Sequence, residues 1–343
     1  VKKWVAGSGI LLVLAAGVVL WLRAGRFDTW LADARDKIGT RAASPLLDQL
    51  ASDNPDQAEV PYLQARQARL AGKPQDVVTA LGRAKQLGWS GALLDRERLL
   101  TLAAVDPRSA RADVARAWES NPDDADLSLA LAGCELQAGR EARTLELVDR
   151  VLTRDPANLF AHHLRGKCLL QTRHLAEARA SLEAAFAGGP DSLAHPAARL
   201  DLAMCLLDQG EFGRAHELFL AARKDAPSSP LATFGVGRTA SYLNRLDEAE
   251  EAYQDILRQR PTHAETLLAM AQVAEQRGDL SAAIPYLERA VKVDPERAEI
   301  YARLAKLLTA VGDEKQAAVH ESRYREIETA RLKKREATPE VRP

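Results

Sequence analysis

Six prolines set a period in this chain. Pro122, Pro156, Pro190, Pro227, Pro261 and Pro295 are separated by 34, 34, 37, 34 and 34 residues. A fixed period in this range belongs to arrays in which each unit covers its apolar face only against its neighbours. Between the prolines, apolar residues recur at helical spacing, broken by Gly or Asp-Pro turns. No sustained two-residue alternation and no Asn-Gly hairpin turn marks a strand. Composition agrees: the chain is 46% hydrophobic but only 5% aromatic, so its core must come from Ala, Leu and Val, which suits packed helices better than sheets.

Other positions keep the same phase. With units starting at Ala125, Leu159, Pro196, Pro230, Ala264 and Ala298, the eighth residue is Ala132, Gly166, Ala203, Gly237, Ala271 or Ala305, always small. The twentieth is Thr144, Ala178, Ala215, Ala249, Ala283 or Ala317. Small residues at both places let two helices of a hairpin approach closely. The fifteenth is Gly139, Arg173, Gly210, Asn244, Gly278 or Gly312, and Gly and Asn suit the left-handed conformation that ends a helix. The twenty-fourth is large and apolar at Val148, Leu182, Phe219, Tyr253 and Leu287, whereas Glu321 breaks the pattern. The extra three residues of the 37-residue interval fall at Asp191 to Pro196, which reads as an inter-repeat loop.

On these residues the chain resembles the tetratricopeptide repeat family, a 34-residue helix–turn–helix module. Ala290-Val291-Lys292-Val293-Asp294-Pro295 is similar to the family's repeat ending, although the usual Trp at position four is replaced by Ser128, His162, Arg199, Thr233, Leu267 and Tyr301. The usual Leu at position seven is Arg165 in the second unit. The resemblance implies an all-α fold, a right-handed α-solenoid of tandem helix-turn-helix units. Six repeats are expected over 125–328 and three divergent ones over 27–124, where Ala43, Leu47, Leu50, Ala71-Gly72-Lys73-Pro74, Ala110 and Ala117 hold the phase less faithfully. Residues 329–343 are expected to finish a charged capping helix and end in a disordered tail.

The first 26 residues read as a tail and a single membrane anchor. Trp4 to Leu22 is a run of 19 residues without a charge, bounded by Lys2 and Lys3 on one side and Arg23 and Arg26 on the other. At ~1.5 Å per residue such a helix spans ~28 Å, close to the hydrocarbon thickness of a bilayer. Trp4 and Trp21 stand where interfacial aromatics belong. A cleaved signal peptide is the competing reading, but apolar sequence continues past Ala15-Ala16-Gly17. The charges flanking the run nearly tie, and the difficulty of moving a short basic tail across a membrane favours an extracytoplasmic (periplasmic) soluble domain over a cytoplasmic one.

No cofactor, metal site or catalytic centre is expected. Cys134, Cys168 and Cys205 all fall at position ten of consecutive units, where a thiol acts as a small hydrophobe. His162-His163 lacks the i, i+4 spacing of a helical metal pair, and His216-Glu217 has no second His four residues on. Gly72-Lys73 and Gly166-Lys167 lack the rest of a phosphate-binding loop. A formal net charge of −1 argues against nucleic acid as the partner, since neutralising a phosphate backbone needs an excess of Lys and Arg.

The surface left for function is the inner face of the first helices. The family resemblance assigns to it Phe160, His163 and Lys167, then Leu200 and Met204, then Phe234, Arg238 and Tyr242, then Gln272 and Gln276. The aromatic, Met and Arg types among them are those enriched at interfaces. The family's clamp for a chaperone tail, Lys at position five and Asn at nine, is not supplied by Leu129 and Gly133 or by His163 and Lys167. The expected function is a membrane-anchored scaffold or adaptor that binds a protein or peptide in its groove and helps assemble or retain a complex. Three alternatives stand beside it: a regulator of envelope biogenesis on the cytoplasmic face, an enzyme or enzyme regulator with a cryptic groove site, and self-association through repeat stacking.

Overall fold

The structure, a computed structural model, describes residues 27–337. The stretch Trp4–Leu22, expected to be a membrane anchor, and the tail from residue 338 lie outside the described residues. Among the described residues no helix is long and apolar enough to cross a membrane.

All regular structure among the described residues is helical. In order the helices are α1 (27–36), α2 (Ala43–Asp53), α3 (Glu59–Leu70), α4 (Pro74–Gln86), α5 (Gly91–Val105), α6 (Pro107–Ser120), α7 (Ala125–Gln137), α8 (Glu141–Arg154), α9 (Leu159–Gln171), α10 (Leu175–Phe186) and α11 (His195–Asp208). They continue with α12 (Phe212–Asp225), α13 (Pro230–Tyr242), α14 (Leu246–Gln259), α15 (Ala264–Gln276), α16 (Leu280–Val293), α17 (Ala298–Ala310) and α18 (Glu314–Ala337). The chain forms two compact units: unit 1 runs through Asp201, and unit 2 starts at Leu202.

The proline period has a local cause. Asp155, the residue before Pro156, closes α8, and Asn158, two residues past it, caps α9 by accepting from the Ala161 N–H at 3.0 Å. Asp124 caps α7 and Ser229 caps α13 in the same place, two residues after Pro122 and Pro227. Pro122, Pro156 and Pro227 thus sit in the two-residue gap where one helix has stopped and the next needs a side-chain acceptor for its free N–H groups, whereas Pro190 lies in the longer connection between α10 and α11.

The turn inside each hairpin is as regular. The fifteenth residue has a left-handed φ in all six units, whether it is Gly139 (68°), Arg173 (65°), Gly210 (81°), Asn244 (58°), Gly278 (80°) or Gly312 (86°). Two units place a non-glycine there and tolerate the strain, so the hairpin geometry imposes the conformation and not the residue type.

The small positions meet as the pattern requires. A Cβ on Gly166 would lie 2.5 Å from Leu182 Cγ and 3.2 Å from the Ala178 carbonyl oxygen, and one on Gly237 would lie 2.4 Å from Tyr253 Cε1. Position eight therefore receives position twenty-four of its own hairpin, with position twenty alongside. Ala132 and Thr144 meet in the same way, the Thr144 hydroxyl donating to the Ala132 carbonyl at 3.3 Å.

Departures from the repeat pattern are compensated by neighbours. Ser128, which stands where the family has Trp, is buried and accepts from Trp118 Nε1 at 3.0 Å, so an indole from the preceding helix α6 serves that space. Arg165, which stands for a Leu, reaches Asp149 on α8 at 3.0 Å and the buried Ser181 on α10 at 3.1 Å. At the C-terminal end, α18 continues without a break from the last hairpin through the expected capping stretch. Ile327 is buried there against Ala298 and Tyr301, a role Glu321 does not fill.

Candidate functional site

Within each unit the first helix of a hairpin touches the first helix of the next: α3 with α5, α5 with α7 and α7 with α9 in unit 1, and α13 with α15 in unit 2. No comparable contacts join the second helices α4, α6, α8 and α10, or α14, α16 and α18. The first helices are therefore the more closely spaced row and form the inner face of each unit. Side chains on this face are the candidate site.

In unit 1 much of that face is internally satisfied. Glu97 on α5 is completely buried and receives Arg69 Nε and Arg96 Nη1, each at 2.8 Å, with Arg66 Nε at 3.8 Å. Arg96 also holds Asp124 at 2.7 Å and Asp126 at 3.2 Å, and Arg69 reaches Asp126 at 3.2 Å. Three guanidiniums thus face three carboxylates across α3, α5 and the start of α7. Burial acts to raise the Asp126 pKa, but Arg69, Arg66 and Arg96 outweigh it and hold the carboxyl below its ordinary value.

Of the four residues assigned from sequence to unit 1, Phe160 and His163 are engaged by the chain itself. Phe160 packs against Gly39, whose Cβ, if present, would lie 3.4 Å from Phe160 Cε2. His163 Nε2 lies 2.8 Å from Asp201 Oδ2, tying α9 to α11. Lys167 is half-buried and makes no hydrogen bond or ion pair among the described residues, and Leu200 is half-buried on α11.

In unit 2 the assigned residues divide into two groups. Phe234 turns into the packing, its ring 5.6 Å from Tyr253 and 6.2 Å from His263, next to the core formed with Met270 and Val273. Arg238 is half-buried with no hydrogen bond or ion pair among the described residues. Tyr242, four residues further along the same helix, is 51% exposed and stacks on Phe212 with ring centres 4.5 Å apart and planes 6° from parallel. Met204 is half-buried, and Gln272 and Gln276 are exposed on α15. Nearby Glu275 accepts from Arg303 Nε at 2.7 Å, linking α15 to α17.

The three thiols are buried and free, and burial followed by the charge of Glu135 pushes Cys134 up to about 11, away from a reactive thiolate. No group of three or more His, Cys, Asp or Glu among the described residues could hold a metal ion. Sequence reasoning missed Gln67, Gly39 and Thr40, which meet on the inner face of unit 1. Gln67 is buried, accepts from the Gly39 N–H at 3.0 Å and donates to the Thr40 carbonyl at 2.6 Å. The sequence carried one hint of this: the inserted residues after Pro190, whose loop pairs with the same turn.

A row of two-helix hairpins with a left-handed turn at the tip and small residues where the helices cross defines a helical-repeat protein. Models of the tetratricopeptide repeat match residues 101–168, 163–230, 200–264 and 264–307, and the chain belongs to that family. It is 29% identical over 112 residues to Protein CTR9 homolog from Arabidopsis thaliana, a match covering 32% of this chain and 10% of that protein. Among solved structures it is similar to a chain of the APC/C hetero-tetramer Cut9–Hcn1, with a TM-score of 0.60 at 15% identity over 82% of this chain and 56% of that one. It is also similar to YrrB, described as a TPR protein with an unusual peptide-binding site, with a TM-score of 0.47 at 20% identity over 55% of this chain and 95% of that one. The chain thus spans about a tenth of the curated relative and just over half of the Cut9–Hcn1 chain, and at these identities the structural likeness is one of fold.

Proposed function

We propose that this chain is a non-catalytic scaffold that grips an extended protein or peptide segment along its first-helix faces and helps retain a complex at a membrane. The observation that carries the reading is the packing of α13 beside α15 in unit 2, where α13 carries Arg238 without a hydrogen-bond or ion-pair partner among the described residues and the half-exposed Tyr242 stacked on Phe212. A preformed face lowers the entropic cost of holding an extended segment, and aromatic and Arg side chains supply most of the binding energy at such surfaces. The run Trp4–Leu22 supplies the membrane attachment and raises the local concentration of membrane-bound partners. The repeat body is assigned to the extracytoplasmic side, which a topology reporter fused after residue 333 tests directly.

The decisive experiment is co-purification from membranes with the full chain and with Arg238→Ala/Tyr242→Ala. The expected result is loss of the captured partners with thermal unfolding unchanged. An unaltered partner set overturns the docking assignment.

A further inference from the structure

On the inner face of unit 1 lies a turn of the chain itself. The turn between α1 and α2 crosses onto the first-helix row, where it touches both α3 and α9, two hairpins that are not neighbours in sequence. Along one edge the turn pairs with the loop that contains the inserted residues. Thr40 and Ser192 form an antiparallel bridge, the Arg41 N–H donates to the Asp191 carbonyl at 2.6 Å, and the Leu193 N–H donates to the Gly39 carbonyl at 2.8 Å. From α3, the buried Gln67 amide reads the same backbone at the Gly39 N–H and the Thr40 carbonyl, with a further bond to Ser44 Oγ at 3.2 Å.

All these contacts except the one to Ser44 are to main-chain atoms of the turn. They constitute a single isolated β-bridge on one edge and a side-chain amide clamp around a hydrogen-bonded turn, in which the Thr40 N–H also donates to the Lys37 carbonyl at 2.9 Å, and they read the main chain whatever its side chains. One position is selective. Gly39 has φ +89°, and a Cβ there would lie 3.4 Å from Phe160 and 3.7 Å from Leu70. The site therefore has the chemistry of a receptor for a turn with a left-handed glycine at its centre.

We propose that residues 38–41 are a built-in competitor: they occupy a backbone-reading peptide site made by Gln67, Leu70, Phe160 and the 191–193 edge, and keep the first-helix face of unit 1 closed. A partner of that face is a turn-forming, glycine-containing segment that takes the same place. This rests on the docking role proposed for the first-helix faces and adds where, and against what competitor, unit 1 binds.

The test uses the detergent-solubilised full chain and a fluorescent peptide with the sequence of residues 36–45. The native chain binds it weakly, because the apparent affinity is reduced by the fraction of molecules whose site is open. Gly39→Val, which damages the occupant but not the receptor, is expected to raise the apparent affinity about tenfold or more by that relation and to speed hydrogen exchange at Leu193. Arg41→Pro removes the donor to Asp191 at an exposed residue and gives the same result if Gly39→Val fails to fold. Adding Gln67→Ala to either variant is expected to abolish the gained binding. Faster exchange at Leu193 without gained binding reduces the turn to a structural clasp and overturns the proposal, as does binding that survives Gln67→Ala. Unit 2 supplies the separation: partner capture lost in Arg238→Ala/Tyr242→Ala supports the general docking role whatever the peptide does, and peptide gain without that loss leaves the competitor standing alone.

Discussion

Units 1 and 2 are built from the same hairpin but use its inner face differently. Unit 1 fills the face with balanced buried charges and with its own turn, so that Glu97, Gln67 and Phe160 are all occupied by partners from the same chain. Unit 2 leaves Arg238 unpaired and Tyr242 half in solvent. A hairpin needs small residues where its helices cross and a left-handed turn at its tip; it makes little demand on the outward positions of the first helix. Those positions are free to diverge, in one unit towards internal cohesion and in the other towards an open surface.

The largest expected effect tests the cohesive unit. Glu97→Ala leaves three guanidiniums with less countercharge in a buried setting and should destabilise unit 1 by ~3–5 kcal/mol, the range for breaking a buried ion pair by removing one partner. Hydrogen exchange read separately over α3–α9 and α13–α17 should show the loss in unit 1 alone; an equal loss in both would break the distinction between them.

Next in size is the crossing of helices in a hairpin. Gly237→Ala drives a methyl into the fixed ring of Tyr253 and should cost ~1–3 kcal/mol, the usual penalty for overpacking. Gly166→Ala meets Leu182 Cγ and the Ala178 carbonyl oxygen and should cost a similar amount. Chemical denaturation measures both variants, and a negligible cost in either would mean that close helix crossing is not what sets the tolerance at position eight.

Acid sharpens the comparison further. The Asp126 carboxyl is held below its ordinary value of 3.8 in the folded chain, so its contribution to stability is complete above that pH. It is lost as pH falls through the lowered folded value, because the unfolded state then binds the proton first. Unit 1 should therefore lose stability below pH 3.8 more steeply in the native chain than in Asp126→Asn, as measured by acid titration of exchange protection in α3–α7.

The smallest effect should be the same in both units. Gly139→Ala and Gly278→Ala add a methyl that meets no atom within 4 Å, so each isolates the left-handed backbone cost of ~1 kcal/mol. Equal shifts in thermal midpoint support one shared hairpin; a large difference would show that the turns are not equivalent.

The hairpin array was legible in the sequence because its determinants are local and repeated. Pro156 followed by Asn158, Gly166 against Ala178 and Leu182, and Gly139 at the turn each act within one unit or across one junction. The candidate site was legible only in part. Tyr242 is half exposed and Arg238 half-buried without a hydrogen-bond or ion-pair partner among the described residues, whereas Phe234, at the same spacing, turns into the packing around Tyr253. Helical period alone does not say on which side of an inner face a ring comes to rest.

Sequence alone settled the unit, its register and the family to which it belongs, since these depend on contacts repeated every 34 residues and averaged over many copies. Tertiary structure decided what covers the inner face of unit 1. The meeting of Gly39 with Gln67, Phe160 and Leu193 joins residues from 28 to more than 150 positions apart through single, unrepeated contacts, mostly to backbone. Every residue offers the same backbone groups, so no pattern of side chains along the chain announces where they will pair.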